Sequence, residues 1–164
     1  MNDFTAEEVR RLRALLEEDA IRKLRNLYSQ YMDAAQIDEL ATLFTEDGVC
    51  EFGPSFGRWE GRETIRKKFQ EVEDSAHGAA FYAMHSTSNH WVELTGPDTA
   101  VGRSYLIDLV TQRTRDENPI VILGVYDEAY RKVAGTWQIE RCSLQFLWPD
   151  RSLTEGFPET LPLR

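Results

Sequence analysis

One stretch of the sequence combines a titratable base with other polar side chains on what reads as a single strand face. His85 opens the run His85-Ser-Thr-Ser-Asn89-His-Trp91, and strand alternation places His85, Thr87, Asn89 and Trp91 on one side. A neutral imidazole near pH 7 can take a proton from carbon or oxygen. Donors and acceptors beside a large ring are what a pocket for an organic molecule offers. His90 lies five residues further on, an odd offset, so without a bulge it faces away from His85. A structural or exposed role is expected for it. His77 falls in a Gly-Ala loop and is a poor candidate.

Other chemistries find little material. Three histidines and no fitting His/Glu/Asp spacing argue against a metal site. A GxSxG elbow, a P-loop and a dinucleotide-binding fingerprint are absent, and Gly53 to Gly57 lacks the flanking strand and helix such a loop needs. By elimination the expected chemistry uses no cofactor. Cys50 and Cys142 lie far apart, each in a strand-like run, and read as buried free thiols.

The elements that must position these residues follow from periodicity. Thr5-Ala6-Glu7-Glu8 is a capping box, and helical patterning continues to about Asp33. Ile21, Leu24, Tyr28 and Tyr31 recur at spacings of three, four and three, which puts them on one buried stripe. A second helix is expected over Asp38–Phe44, closed by the turn Thr45-Glu46-Asp47-Gly48. Val49–Phe52 reads as a strand, Gly53–Gly61 as a loop or ragged hairpin, and Arg62–Glu73 as a third helix. Four long β-rich runs follow, Phe81–Leu94, Thr99–Gln112, Ile120–Val133 and Trp137–Trp148, separated by turn residues. Helices first and meandering strands after imply an α+β domain with helices on one face of an antiparallel sheet. One domain spans 1–164, with its core at about 15–148 and an irregular tail over 149–164.

Hydrophobic residues at 41% and charged residues at 29% suit a globular chain. A net charge of −9 is the wrong sign for nucleic acid, whose phosphates need a basic face. No apolar run of about 18 residues exists for a membrane span, and the first residues lack a signal-like apolar core. A reducing cytoplasm is the expected setting.

The order of elements, with Ala20-Ile21 through Tyr28 to Asp33, Asp38–Asp47, Gly61–Ile65, His85–Asn89, Gly124–Glu128 and Gly135–Ile139, resembles the SnoaL-like branch of the nuclear-transport-factor-like superfamily. That resemblance implies a cone-shaped, half-open barrel with the N-terminal helices packed into the concave face of a strongly curved sheet. The superfamily includes scytalone dehydratase, a bile-acid dehydratase, hexachlorocyclohexane dehydrochlorinase, isomerases and polyketide cyclases. Non-catalytic members and small subunits of ring-hydroxylating oxygenases share its fold, so the site must argue for itself.

Dehydratase and dehydrochlorinase members use an Asp–His pair, and the matching positions are Asp33 and His85. The bile-acid branch resembles this chain with a tyrosine at Tyr28, which lies on the buried stripe, and Tyr31 stands in reserve. Arg141 is the candidate anion-binding group. Asn89 joins the polar strand face, while Trp59 and Phe146 belong to a set of aromatics, with Phe44, Phe52, Phe69, Tyr105 and Trp148, that would line apolar walls. The implied activity is a cofactor-independent lyase or isomerase of a small, largely apolar substrate: dehydration first, then double-bond isomerisation or polyketide-type cyclisation. The alternative is a non-catalytic binding module or oxygenase small subunit. A homodimer or homotrimer is expected, with Tyr126, Glu128 and Tyr130 as a candidate subunit contact.

Overall fold

The capping box forms as read: the Thr5 hydroxyl accepts from the Glu8 amide at 3.2 Å, and the Glu8 carboxylate accepts from the Thr5 amide at 2.8 Å. In the computed structural model, which describes residues 4–75, 83–111 and 119–158, this starts helix α1, Ala6–Asp33. Its 28 residues span about 42 Å, and only the C-terminal half is buried, through Ile21, Leu24, Arg25, Tyr28, Ser29 and Met32. The stripe continues from Tyr28 to Met32 rather than to Tyr31, which is only half-buried.

Helix α2 covers Ile37–Thr42, and strand β1, Phe44–Glu51, follows directly. The expected turn Thr45–Gly48 is therefore inside a strand. Its turn chemistry appears as an irregularity: Phe44 pairs with Ile139 and Val49 with Arg141, so the residues between them bulge out of the ladder. The Arg62 guanidinium donates to the Phe44 carbonyl at 2.9 and 2.6 Å and holds that bulge. Gly53–Gly61 resolves into a one-turn helix α3, Gly53–Phe56, and a short strand β2, Arg58–Glu60, antiparallel to β1. Gly57, at φ 78°, supplies the left-handed step between them. Helix α4 is Arg62–Ser75.

Strands β3, Ala83–Leu94, β4, Thr99–Val110, β5, Ile120–Val133, and β6, Thr136–Trp148, form the meander. His77, the start of the Phe81–Leu94 run and the turn at 115–118 lie outside the described residues. The sheet order is β2-β1-β6-β5-β4-β3, antiparallel except where β1 runs parallel to β6. Bulges in β1, β3 and β6 bend it into a half-open cone around α1.

Cys50 and Cys142 face each other across the β1–β6 pair as free, fully buried thiols. Tyr28, Phe44, Phe52, Trp59 and Phe69 pack as edge-to-face and tilted rings with centroids 5.0–6.3 Å apart. The tail does drape over the outer face. Ser152 bridges to Phe146, and Thr154 bonds Gln145 and Ser143. No helix among the described residues is long and apolar enough to cross a membrane.

Candidate active site

The last residue of α1 is Asp33, and the helix delivers its carboxylate to the start of β3. There it accepts the His85 backbone amide at 3.1 and 3.2 Å and meets the ring Nδ1 at 2.6 Å. An ionised carboxylate can only accept, so this bond assigns the proton to Nδ1 and leaves the Nε2 lone pair free. The backbone contact fixes the carboxylate from a second direction, and the ring orientation is set by both. His85 is the shielded partner, 11% exposed against 26% for Asp33.

Nε2 points toward Asp108 on the neighbouring strand, 3.8 Å from Oδ2. His85 and Asp108 are direct cross-strand partners in the β3–β4 ladder. Asp108 is 8% exposed and its Oδ1 has no partner among the described residues. Burial pushes its carboxyl above the usual range, while His85 pulls it down and the Asp33 charge adds to the rise. An imidazole base thus stands beside a carboxyl biased toward its neutral, proton-donating form.

Both face a cavity of about 190 Å³ whose remaining lining is almost wholly apolar, including Met32, Phe52, Trp59, Phe69, Ile122 and Phe146. Trp59 and Phe146 therefore stand where they were expected. Phe44 lies behind this lining in the core, and Tyr105 and Trp148 are exposed on the outer surface. Tyr28 lines the cavity with its hydroxyl free of any protein partner among the described residues. Tyr28 and Asp33 do not point into one space. Asp33 stands behind His85, and the imidazole is what reaches the cavity.

Three residues expected to meet a ligand lie away from this cavity. Tyr31 packs at the edge of the core, away from the cavity. Asn89 is exposed at φ 51° inside a bulge, because the ladder passes from Ser88–Tyr105 to Trp91–Arg103 with one extra residue on β3. That extra residue inverts the alternation beyond it. Trp91 turns outward at 50% exposure, and His90 turns inward, its Nε2 3.2 Å from the Tyr130 hydroxyl. His90 is structural, and burial lowers its pKa. Arg141 lies on the outer face, 2.9 Å from Asp127 and 3.6 Å from Glu51. Tyr126, Glu128 and Tyr130 face the interior and are fully buried, so they are no subunit surface.

Sequence reasoning missed Asp108 and Arg25, and it placed Tyr126 on a subunit surface when the residue lines the cavity. Asp108 had a signal, a carboxylate inside the apolar run Tyr105-Leu-Ile-Asp-Leu-Val110, but its pairing with His85 depends on strand register. Arg25 sits within the buried stripe of α1 and forms a wholly buried ion pair with Glu128 at 3.0 Å. Among the described residues no group of three His, Cys, Asp or Glu side chains is arranged to hold a metal ion.

A family model for the SnoaL-like domain matches residues 13–143. A putative scytalone dehydratase from Novosphingobium aromaticivorans is 24% identical, with a TM-score of 0.74, over 88% of this chain and 97% of that one. A putative aromatic ring hydroxylase from the same organism is 27% identical, with a TM-score of 0.68, over 79% and 88%. A hexachlorocyclohexane dehydrochlorinase is 19% identical, with a TM-score of 0.68, over 87% and 97%. No curated protein gives a significant sequence match.

Proposed function

Because the chain belongs to the SnoaL-like domain family, with its cone-shaped fold and open pocket, we propose that it is a cofactor-independent lyase acting on a small, largely apolar hydroxy-carbonyl compound. The observation that carries this reading is the 2.6 Å Asp33–His85 hydrogen bond, which leaves Nε2 directed into an apolar cavity. His85 takes the proton from the carbon beside the carbonyl, and Asp33 stabilises the imidazolium that forms. The C–H electron pair becomes the new C=C bond as the C–O bond breaks. Neutral Asp108 protonates the departing hydroxyl, so water leaves. The proton on Nε2 then crosses the 3.8 Å to the Asp108 carboxylate and restores both groups. Tyr28 polarises the carbonyl. Isomerisation and cyclisation share the first step and differ in where the proton is returned.

The test is turnover of ring-sized β-hydroxy ketones, followed by the absorbance of the enone product. His85→Gln is expected to lose 10²–10⁴-fold in kcat, about what a positioned general base supplies, and Asp33→Asn a comparable fraction. Undiminished turnover in His85→Gln would sink the mechanism. The putative ring hydroxylase among the relatives supports a second reading, the small subunit of an oxygenase or a binding module. A base with its supporting carboxylate at the mouth of an open cavity weighs against it. Obligate co-purification with an iron-containing partner would weigh for it.

A further inference from the structure

Beneath the cavity floor, the Arg25 guanidinium lies in the angle between two tyrosines, 3.9 Å from the Tyr28 ring centroid and 3.7 Å from that of Tyr126. Both rings line the cavity. Arg25 has no exposure, and its Nη1 donates to Glu128 at 3.0 Å. Glu128 also accepts from the Tyr130 hydroxyl at 2.6 Å, which itself meets His90 at 3.2 Å. Among the described residues Nε and Nη2 of Arg25 find no oxygen, and the two aromatic faces receive them.

Such a pair is expensive. Removing two charges from water is costly, and well-packed apolar residues are often as stable. Its electrostatic effect falls on the two rings it touches. A cation on the face of a phenol draws electron density from it and makes its O–H a stronger donor. Neither hydroxyl has a protein acceptor among the described residues, and neither is sealed in the packing as Asp108 Oδ1 is. Burial keeps both phenols protonated, with Arg25 opposing that trend. Two strengthened donors therefore open on the same cavity as His85 and Asp108, and among the described residues no other polar side chain faces it.

We propose that the Tyr126 hydroxyl, beside that of Tyr28, binds the substrate's carbonyl oxygen, and that Arg25 is a positioning residue that strengthens both donors through their ring faces. The ligand class is then a neutral, ring-sized ketone or phenol, oriented with its oxygen on the tyrosines and its acidic C–H toward His85. Among the described residues no cation reaches the cavity to receive a carboxylate or phosphate. The assignment rests on the pocket being the proton-transfer site proposed above.

The test needs no substrate. 4-Nitrophenol matches the class, and its absorbance reports the ionisation of the bound oxygen. The apparent pKa of bound nitrophenol is compared among wild type, Tyr126→Phe, the paired replacement Arg25→Met with Glu128→Gln, and Arg25→Lys. His85, Asp33 and Asp108 are common to all four, so differences report the tyrosines and the guanidinium. Loss of one phenol donor is expected to raise the bound ligand's pKa by about one pH unit. The paired replacement, which leaves no buried charge unmatched, should raise it by a smaller amount with Tyr126 intact, and Arg25→Lys should recover part of that change. A merely structural Arg25 would lower thermal stability and leave the ligand's pKa where it was. The proposal is overturned if wild type does not bind nitrophenol saturably, or if Tyr126→Phe leaves the pKa unchanged; that variant decides alone should the paired one not fold. Nitrophenol shifts without turnover of any hydroxy ketone would keep the oxygen subsite and end the elimination reading. Turnover without the shifts would do the reverse.

Discussion

Asp108 has an unpartnered Oδ1, 8% exposure and an imidazole 3.8 Å from its other oxygen. Its folded-state pKa is raised, chiefly by burial. For a group shifted that way, the stabilising contribution is complete below the unfolded value near 3.8 and is lost as pH rises through the folded value. At neutral pH the unfolded chain ionises this carboxyl, and holding it neutral in the fold costs stability. Asp108→Asn removes that cost, so it is expected to be more stable than wild type by about 1 kcal/mol at pH 7, with the advantage vanishing near pH 4. Urea melts at the two pH values measure this directly. The same substitution should depress dehydration strongly, because an amide cannot protonate the leaving hydroxyl. Stability and turnover moving in opposite directions would mark Asp108 as part of the chemistry, whereas a loss of both would show it to be a structural group.

At the level of elements, β3 shows what the sequence could and could not reveal. Its existence and length were legible from composition and alternation, as were α1, α4 and the other long strands. The bulge at Ser88–Trp91 was not, since period-two reasoning presumes an unbroken ladder and Asn89 carries no unique mark of one. That one extra residue moved Asn89 and Trp91 out of the expected pocket and brought His90 in. Likewise the turn residues at 45–48 gave a correct local signal, a departure from regular backbone, but β1 absorbs it as a bulge. The Asp33–His85 pair was reached through a resemblance to enzymes, and Asp108 escaped because cross-strand register is a long-range property. Asn89 also offers a test of the bulge. Asparagine tolerates φ 51° better than most side chains, so Asn89→Ala should cost about 1 kcal/mol and Asn89→Gly little or nothing. Equal losses in the two variants, read by urea midpoint, would mean that backbone conformation at this site is not what matters.

For the whole molecule, the outer face of the sheet divides in two. From the middle of β4 and β5 across β6 to β1 and β2 it is charged and internally neutralised: Arg103 bonds Asp127 at 2.6 Å, Asp127 bonds Arg141 at 2.9 Å, and Arg141 and Arg58 both pair with Glu51. Near the ends of β4 and β6 and the start of β5 it is apolar. Ile107 pairs with Leu123, and Leu123 with Trp148, so three exposed hydrophobic residues adjoin across three strands, with Met84 and Tyr105 beside them. Scattered exposed apolar residues need no explanation, but a contiguous set on one sheet face does. Covering it with the same patch of a second copy would bury no unpaired charge, because the adjacent ion pairs are already satisfied within the chain. A dimer is therefore expected in light scattering after size exclusion. Ile107→Glu should shift the population toward monomer, and the pocket, lying on the other side of the sheet, should keep its ligand affinity. A wild-type monomer at all concentrations would remove the interface, and dissociation accompanied by loss of ligand binding would show that the sheet's outer face and its pocket are not independent.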